Sequence, residues 1–271
     1  MDHMPESAHE SAPAYRKAYE DQLRARVAPG EAVDRHGPVI RRMRAGRGFV
    51  LYRDLAGLRG AELDAFIAGQ RDHFAGLVEA VEWKYHDRDL PADLPSRLVA
   101  AGFRPQEQET IMVGEAARLA APAELPDGVR LREVTLRTDL ERIGRLEQTV
   151  WGYDHGWLAD VLEKSLTSAG DPIVVIMAEI GAEAVCAAWV RFHRGTDFAS
   201  LWGGSTLPSA RRRGIYRATV AYRAALAAGR GFRYVQVDAS AASRPILARL
   251  GLVPVAVSTP YVWRADGRPH A

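Results

Sequence analysis

Two segments, one in each half of the chain, carry the same local pattern. Leu98-Val-Ala-Ala-Gly102-Phe103-Arg-Pro105 and Leu247-Ala-Arg-Leu-Gly251-Leu252-Val-Pro254 match in spacing: a helical end, a glycine, an apolar residue and then a proline. Glycine reaches the left-handed conformation that closes a helix, and proline cannot continue one, so each segment predicts a helix followed by a fresh extended run. A strand-like run precedes each helix, Val81-Glu-Trp-Lys-Tyr85 and Tyr234-Val-Gln-Val237, and another follows each proline. Helix, glycine and proline recur in many α/β proteins. Here the flanking elements correspond as well, which argues for an internal duplication. A chain of 271 residues has room for two such units.

In the first half, residues 14–27 read as a helix stopped by Pro29-Gly30, and residues 39–43 and 49–52 as short strands joined across Gly46 and Gly48. Residues 61–75 read as a helix, 81–85 as a strand, 94–101 as a helix and 110–113 as a strand. Residues 115–128, rich in alanine and proline, read as a linker. In the second half, residues 129–134 alternate as a half-buried strand does, and Asp139 suits the N-cap of a helix through Val150. A helix over 157–166 follows. Residues 173–178 and 185–192 predict a hairpin across Gly181, and 199–202 a strand continuing toward Leu207. A helix from Gly214 to about Ala228, a strand at 234–237, a helix over 244–250 and a strand at 260–263 complete the series. The expected organisation is a disordered tail over 1–13, a first domain over 14–120 and a second over 128–271.

The balance of 36 Lys and Arg against 34 Asp and Glu leaves a net charge of +2, so no global basic field points to nucleic acid. The one cysteine, Cys186, lies in the apolar run Val185-Cys-Ala-Ala-Trp-Val190. It excludes an internal disulfide, fits a reducing, cytoplasmic setting, and reads as a small buried filler. No apolar run is long enough to span a bilayer, the polar, acidic amino terminus is not a signal peptide, and no His or Cys pair has metal-ligand spacing.

The chemistry concentrates in Ser205-Thr-Leu-Pro208-Ser-Ala-Arg211-Arg-Arg-Gly214-Ile-Tyr216-Arg-Ala-Thr-Val220. A strand ends, a short basic turn with one glycine follows, and a helix starts at once. Unpaired N–H groups and the positive end of the helix dipole then converge on one point, which suits a phosphate. An arginine run is usually a solvated turn. Its place between strand and helix favours a pyrophosphate ligand, and no interleaved aromatic platform favours nucleic acid.

The element order from Val129 to Arg264 resembles the GNAT superfamily of N-acetyltransferases, whose signature Gln/Arg-x-x-Gly-x-Gly/Ala is matched by Arg211-x-x-Gly214-x-Tyr216. Tyr216 departs from the family's small residue. The resemblance implies an α/β (α+β) fold of tandem GNAT-like halves, each a mixed, mostly antiparallel sheet flanked by helices. It implies that acetyl-CoA is held as cosubstrate by the turn Arg211, Arg212, Arg213, Gly214, Ile215, Tyr216 and Arg217, with Thr206 and Leu207 pairing the pantetheine. The second signature, Val235-Gln-Val-Asp238-Ala-Ser240-Ala-Ala-Ser243, implies that Ser240 and Ser243 join the coenzyme-binding residues. The family's usual acid is a tyrosine where Leu247 stands, and leucine cannot donate a proton. The first half lacks a comparable cradle, Arg53-Asp-Leu-Ala-Gly-Leu-Arg-Gly60 being the nearest stretch, so it reads as a degenerate copy and the single coenzyme site falls in the second half.

Acyl transfer to an amine also needs a proton acceptor. The strand before the cradle has no carboxylate, which leaves Glu147, Asp154, His155, Glu179 and Asp238, with Asp154, His155 and Glu179 put forward. A structural role is the competing reading for each, and a cap or turn is the reading for His86-Asp87. Trp151, Tyr153, Trp157 and Trp202 are either core or the wall of an acceptor pocket. The expected activity is N-acetyl transfer from acetyl-CoA to a small-molecule or protein amine by a monomer or homodimer without metal, nucleic acid or membrane partner. The alternative is a non-catalytic CoA- or acyl-CoA-binding sensor or interaction module.

Overall fold

The computed structural model describes residues 6–120 and 125–265, and the expectations for residues 1–5, 121–124 and 266–271 lie outside them. One long sheet runs through the molecule in the order β1-β2-β3-β4-β12-β6-β11-β10-β9-β8-β7, with β5 (Arg104–Pro105) paired to β12. The first half supplies β1 (Asp34–His36), β2 (Val39–Arg44), β3 (Arg47–Tyr52), β4 (Ala80–His86) and β6 (Glu109–Glu115). The second supplies β7 (Val129–Glu133), β8 (Ile173–Ile180), β9 (Glu183–Phe192), β10 (Phe198–Thr206), β11 (Tyr234–Ala239) and β12 (Val253–Arg264).

The duplication is visible in the pairing. β3 and β4 are parallel, and so are β10 and β11, while the other neighbouring strands are antiparallel. Each half then gives its last strand away. β6 completes the second half beside β11, β12 completes the first beside β4, and the two exchanged strands pair with each other at the centre. The Gly-Pro steps at 102–105 and 251–254 are the points where each chain leaves its helix, α3 (Leu94–Ala100) or α8 (Arg244–Arg249), to cross over.

Helices α2 (Gly60–Phe74) and α3 cover one face of the first half through Leu63, Ile67, Phe74, Leu94 and Leu98. Helices α7 (Ile215–Gly229) and α8, with α4 (Ala116–Leu119), cover the corresponding face of the second half. On the opposite face, α5 (Arg137–Trp151) and α6 (Leu158–Thr167) pack on β8 and β9, and α1 (Glu6–Gln22) lays Tyr15 and Tyr19 on Ile111, Val113, Val253 and Val255 of the exchanged strands. This second face is concave. Seven strand steps separate β2 from β9, roughly 34 Å in a flat sheet. Yet Arg44 at the end of β2 donates from Nη2 to Ser165 Oγ of α6 over 3.3 Å. The sheet therefore curls into a trough whose two wings come together at Arg44 and Ser165.

Three sequence expectations are corrected. The helix expected from residue 14 begins at Glu6. Pro13 is accommodated inside it. The stretch read as a linker opens with the tail of β6 and with α4, whose Ala116 and Leu119 are buried. Asp139 does not cap α5. It lies in the first turn, where its carboxylate accepts hydrogen bonds from Arg132 and Arg142.

Candidate active site at the splay of β10 and β11

Strands β10 and β11 pair only from Phe198↔Tyr234 to Ser200↔Gln236. Beyond Ser200, β10 runs on to Thr206 held by β9 alone, so its other edge opens away from β11. A bulge at Gly204 deepens the divergence. Gly203 (φ +65°) and Gly204 (φ +93°) are needed here. A Cβ on Gly203 would lie 2.6 Å from the Trp189 ring, and one on Gly204 would lie 2.5 Å from the Tyr216 ring.

The turn before α7 stands at the mouth of this opening. Pro208–Ala210 form a single 3-10 turn, Arg212 takes a left-handed conformation (φ +63°), and Gly214 does so again (φ +83°) as the N-cap. Positive φ at a non-glycine residue is uncommon and marks a constrained loop, and alternating handedness turns N–H groups to one side as an anion nest. The first N–H that α7 engages is that of Ala218, bonded to Gly214 O at 3.0 Å, and no side chain caps the helix. Ile215, Tyr216 and Arg217 thus have no acceptor within the helix. A Cβ on Gly214 would meet nothing within 4 Å, so the approach is open.

The arginines are divided in role. Arg211 folds back, its Nε donating to Thr206 O over 3.0 Å, while Arg213 reaches toward Asp127 O. Arg212 and Arg217 are exposed. Thr206 donates to Cys186 Sγ at 3.3 Å, and the Leu207 N–H is taken by Val185 O. Ser240 and Ser243 hold each other at the start of α8, their hydroxyls 3.2 Å apart. Burial pushes the Tyr216 phenol up, and the Ser243 hydroxyl opposes this. Leu247 is fully buried in the core.

One carboxylate faces the bulge. Glu147 of α5 accepts from Ser205 Oγ at 2.6 Å and from Trp151 Nε1 at 2.9 Å, both at Oε2. Its Oε1 is buried and has no hydrogen-bond partner. Burial raises its pKa, while the Ser205 and Trp151 donors hold it down. The residues put forward with it lie in other settings. Asp154 is exposed and accepts from the Gly156 N–H, an Asx turn. His155 is buried between the rings of Tyr153 and Trp157, with Nδ1 on Tyr153 O. Glu179 is gripped by Arg130, Arg132 and Arg142, which draw its pKa down to about 2, so it is a poor proton acceptor. Asp238 is paired with Lys84 at 2.7 Å. Trp151, Tyr153, Trp157 and Trp202 are exposed rather than core.

A second array went unread in the sequence. Arg26 Nη2 donates to Asp171 (2.8 Å), Asp171 faces His193 Nδ1 (3.1 Å), His193 Nε2 faces Ser200 Oγ (2.8 Å), and Trp202 Nε1 donates to Ser200 Oγ (2.7 Å). A carboxylate only accepts, so the His193 proton sits on Nδ1 and Ser200 donates to Nε2. Burial lowers the His193 pKa, and Asp171 opposes this. The connectivity is that of an acyl-transfer triad. However, Ser200 is 2% exposed and its oxygen is covered by Trp202, so the chain fixes the indole at the apex of the splay.

In the first half the equivalent opening is filled. Pairing of β3 with β4 ends at Val50↔Trp83, and beyond it Tyr52 and Arg24 both donate to Asp89, which also accepts the His86 N–H. Tyr19 OH meets His86 Nε2 at 3.2 Å. His86 is thus the buried last residue of β4, and the turn begins at Asp87, whose carboxylate accepts the Val257 N–H.

No family profile and no curated protein matches the sequence. Solved structures do. A GCN5-related N-acetyltransferase from Kribbella flavida is 17% identical over 94% of this chain and 95% of its own, with a TM-score of 0.61. A tandem GNAT protein from the clavulanic acid biosynthesis pathway is 15% identical over 97% of both chains, with a TM-score of 0.60. A functionally unknown conserved protein from Staphylococcus epidermidis is 14% identical over 91% and 97%, with a TM-score of 0.64. The chain has the fold of the GNAT N-acetyltransferases, in its tandem form. Among the described residues, no cluster of His, Cys, Asp and Glu could hold a metal ion, and no helix is long and apolar enough to cross a membrane.

Proposed function

We propose that this protein is an acyl-CoA-dependent N-acyltransferase, most simply an N-acetyltransferase, with one coenzyme site at the splay of β10 and β11. The observation that carries the reading is the uncapped α7 N-terminus, with its nest at Arg212–Gly214, facing the open edge of β10. The diphosphate would be held by the N–H groups of the turn and of Ile215, Tyr216 and Arg217, with Arg212 adding charge. The free edge from Leu201 to Thr206 would pair with the pantetheine amides. The thioester, when bound, supplies an activated acyl group.

Glu147 is proposed as the base, in place of Asp154, His155 and Glu179. Its Oε1 is unengaged, and burial shifts its pKa toward working pH, where a base is most effective. It takes a proton from the acceptor amine, directly or through one water, so that nitrogen gains its lone pair. Ser205 and Trp151 fix the other oxygen and aim the carboxylate.

The test is titration calorimetry with acetyl-CoA, followed by an amine-library screen for thiol release. Failure of pure, folded protein to bind acetyl-CoA removes the proposal. A second reading, a non-catalytic acyl-CoA-binding module, is favoured by Leu247, a core side chain that cannot donate a proton where the resemblance expects a tyrosine. Binding without turnover of any amine selects it.

A further inference from the structure

The trough between the two wings carries three guanidiniums that the protein itself leaves poorly matched. Elsewhere arginines take carboxylates at close range: Arg132 grips Asp139 at 2.7 and 2.9 Å, and Arg97 grips Asp64 at 2.7 Å. Arg191 of β9 has only a 3.4 Å contact to Asp171 O, because the Asp171 carboxylate is already used by Arg26 and His193. Arg42 of β2 comes no nearer to a carboxylate than 3.9 Å, at Glu31, and its buried Nε has no hydrogen-bond partner. Arg44 has only Ser165 Oγ.

These three belong to one place. Arg42 and Arg44 alternate with Arg41, whose side chain bonds Gln70 of α2 on the outer face, so they point into the trough. Arg44 touches α6 across it. Arg191 pairs in register with Ser200 at the apex of the splay, two residue pairs from the Trp189↔Trp202 step on the same face. Burial first, and then the like charge of Arg44, bring the Arg191 pKa down to about 10, and burial lowers that of Arg42 as well. Burial is costly for a cation without close pairing, so Arg42, with its nearest carboxylate 3.9 Å away, and Arg191, beside an Asp171 already engaged, would gain from a bound anion.

We infer that Arg42, Arg44 and Arg191 form an anion pocket in the acceptor groove, and that the acceptor is an amine bearing a carboxylate or phosphate group. The anion bridges the two wings, Trp189 and Trp202 flank the body of the acceptor, and the amine is turned toward the splay. This rests on the acyltransferase reading and names its substrate class. It also gives the first half a functional role, since two of the three guanidiniums come from β2.

The experiment uses matched amines at saturating acetyl-CoA: phenylalanine against phenethylamine, and O-phosphoethanolamine against ethanolamine. The anionic member of at least one pair should be the better substrate by about thirtyfold or more in kcat/KM. The two pairs separate carboxylate from phosphate. Arg44→Gln, at an exposed position, and Arg191→Lys, which keeps charge but loses the fork, should raise KM for that amine with little change in kcat or in acetyl-CoA affinity. Equal use of both members of both pairs, or unchanged KM in both variants, overturns the anion pocket while leaving the acyltransferase reading intact. The product-like N-acetylphenylalanine and inorganic phosphate are titrated in parallel by tryptophan fluorescence without coenzyme. Saturable quenching by one of them, weakened in both variants, supports the pocket even if acetyl-CoA fails to bind. No response to either, with no preference in turnover, sinks it.

Discussion

The Ser205 hydroxyl donates a 2.6 Å hydrogen bond to Glu147, tying the bulge of β10 to the C-terminal part of α5. That bond places a buried carboxylate at the opening of the sheet and limits how far burial can raise its pKa.

Glu147→Gln should lower kcat by about a hundredfold or more, because a positioned base contributes on that scale. Acetyl-CoA affinity, measured by calorimetry, should stay the same. A variant with full kcat removes Glu147 from the mechanism.

A base works only when deprotonated, so kcat/KM should rise with pH through a limb above the ordinary glutamate value of 4.5. Ser205→Ala removes a donor that favours the charged carboxylate, so the limb should move to higher pH. A shift to lower pH, or none, contradicts the assignment.

Gly204→Ala places a Cβ 2.5 Å from the Tyr216 ring at a φ of +93°. Strain and overpacking together should cost about 1–3 kcal/mol in thermal or denaturant unfolding, and acetyl-CoA binding should weaken. Tyr216→Ala relieves the overlap but not the backbone strain, so the double variant should recover part of the loss and the cycle should show coupling. Strict additivity would mean the ring does not rest on the bulge.

Glu179 contributes stability through its arginines. Its folded pKa is depressed from 4.5 to about 2, so the contribution is present above the unfolded value and is lost as pH falls through that window. Glu179→Gln should flatten the acid limb of stability between about pH 4.5 and 2, read by denaturant midpoints.

Cys186 is fully buried and its thiol is pushed up by burial. Native protein should not react with a thiol reagent, and one thiol should appear on denaturation. A fast native reaction would show that β9 opens.

The helices and strands flanking the Gly-Pro steps were legible because glycine and proline punctuate the chain whatever packs around them. The turn before α7 was legible because its atoms are local: a strand end, Gly214 and a helix start lie close together in the sequence. Two kinds of feature were not. The exchange of β6 and β12 leaves no trace in periodicity, since a strand buried on both faces reads alike beside any neighbour. The groups around the splay come from distant segments. Glu147 meets Ser205, Arg26 meets Asp171, and Arg44 meets Ser165 only once the sheet has curled. Asp154, His155 and Glu179 attracted notice by loop position or charge, whereas burial and free oxygens, invisible in one dimension, single out Glu147.

The crossing of β6 and β12 makes the halves mutual hostages. A fragment of residues 125–265 would lack β6, the observed neighbour of β11, and β4, the observed neighbour of β12. The first half, whose own splay is closed by Arg24, Tyr52 and Asp89, still supplies the strand against which β11 closes.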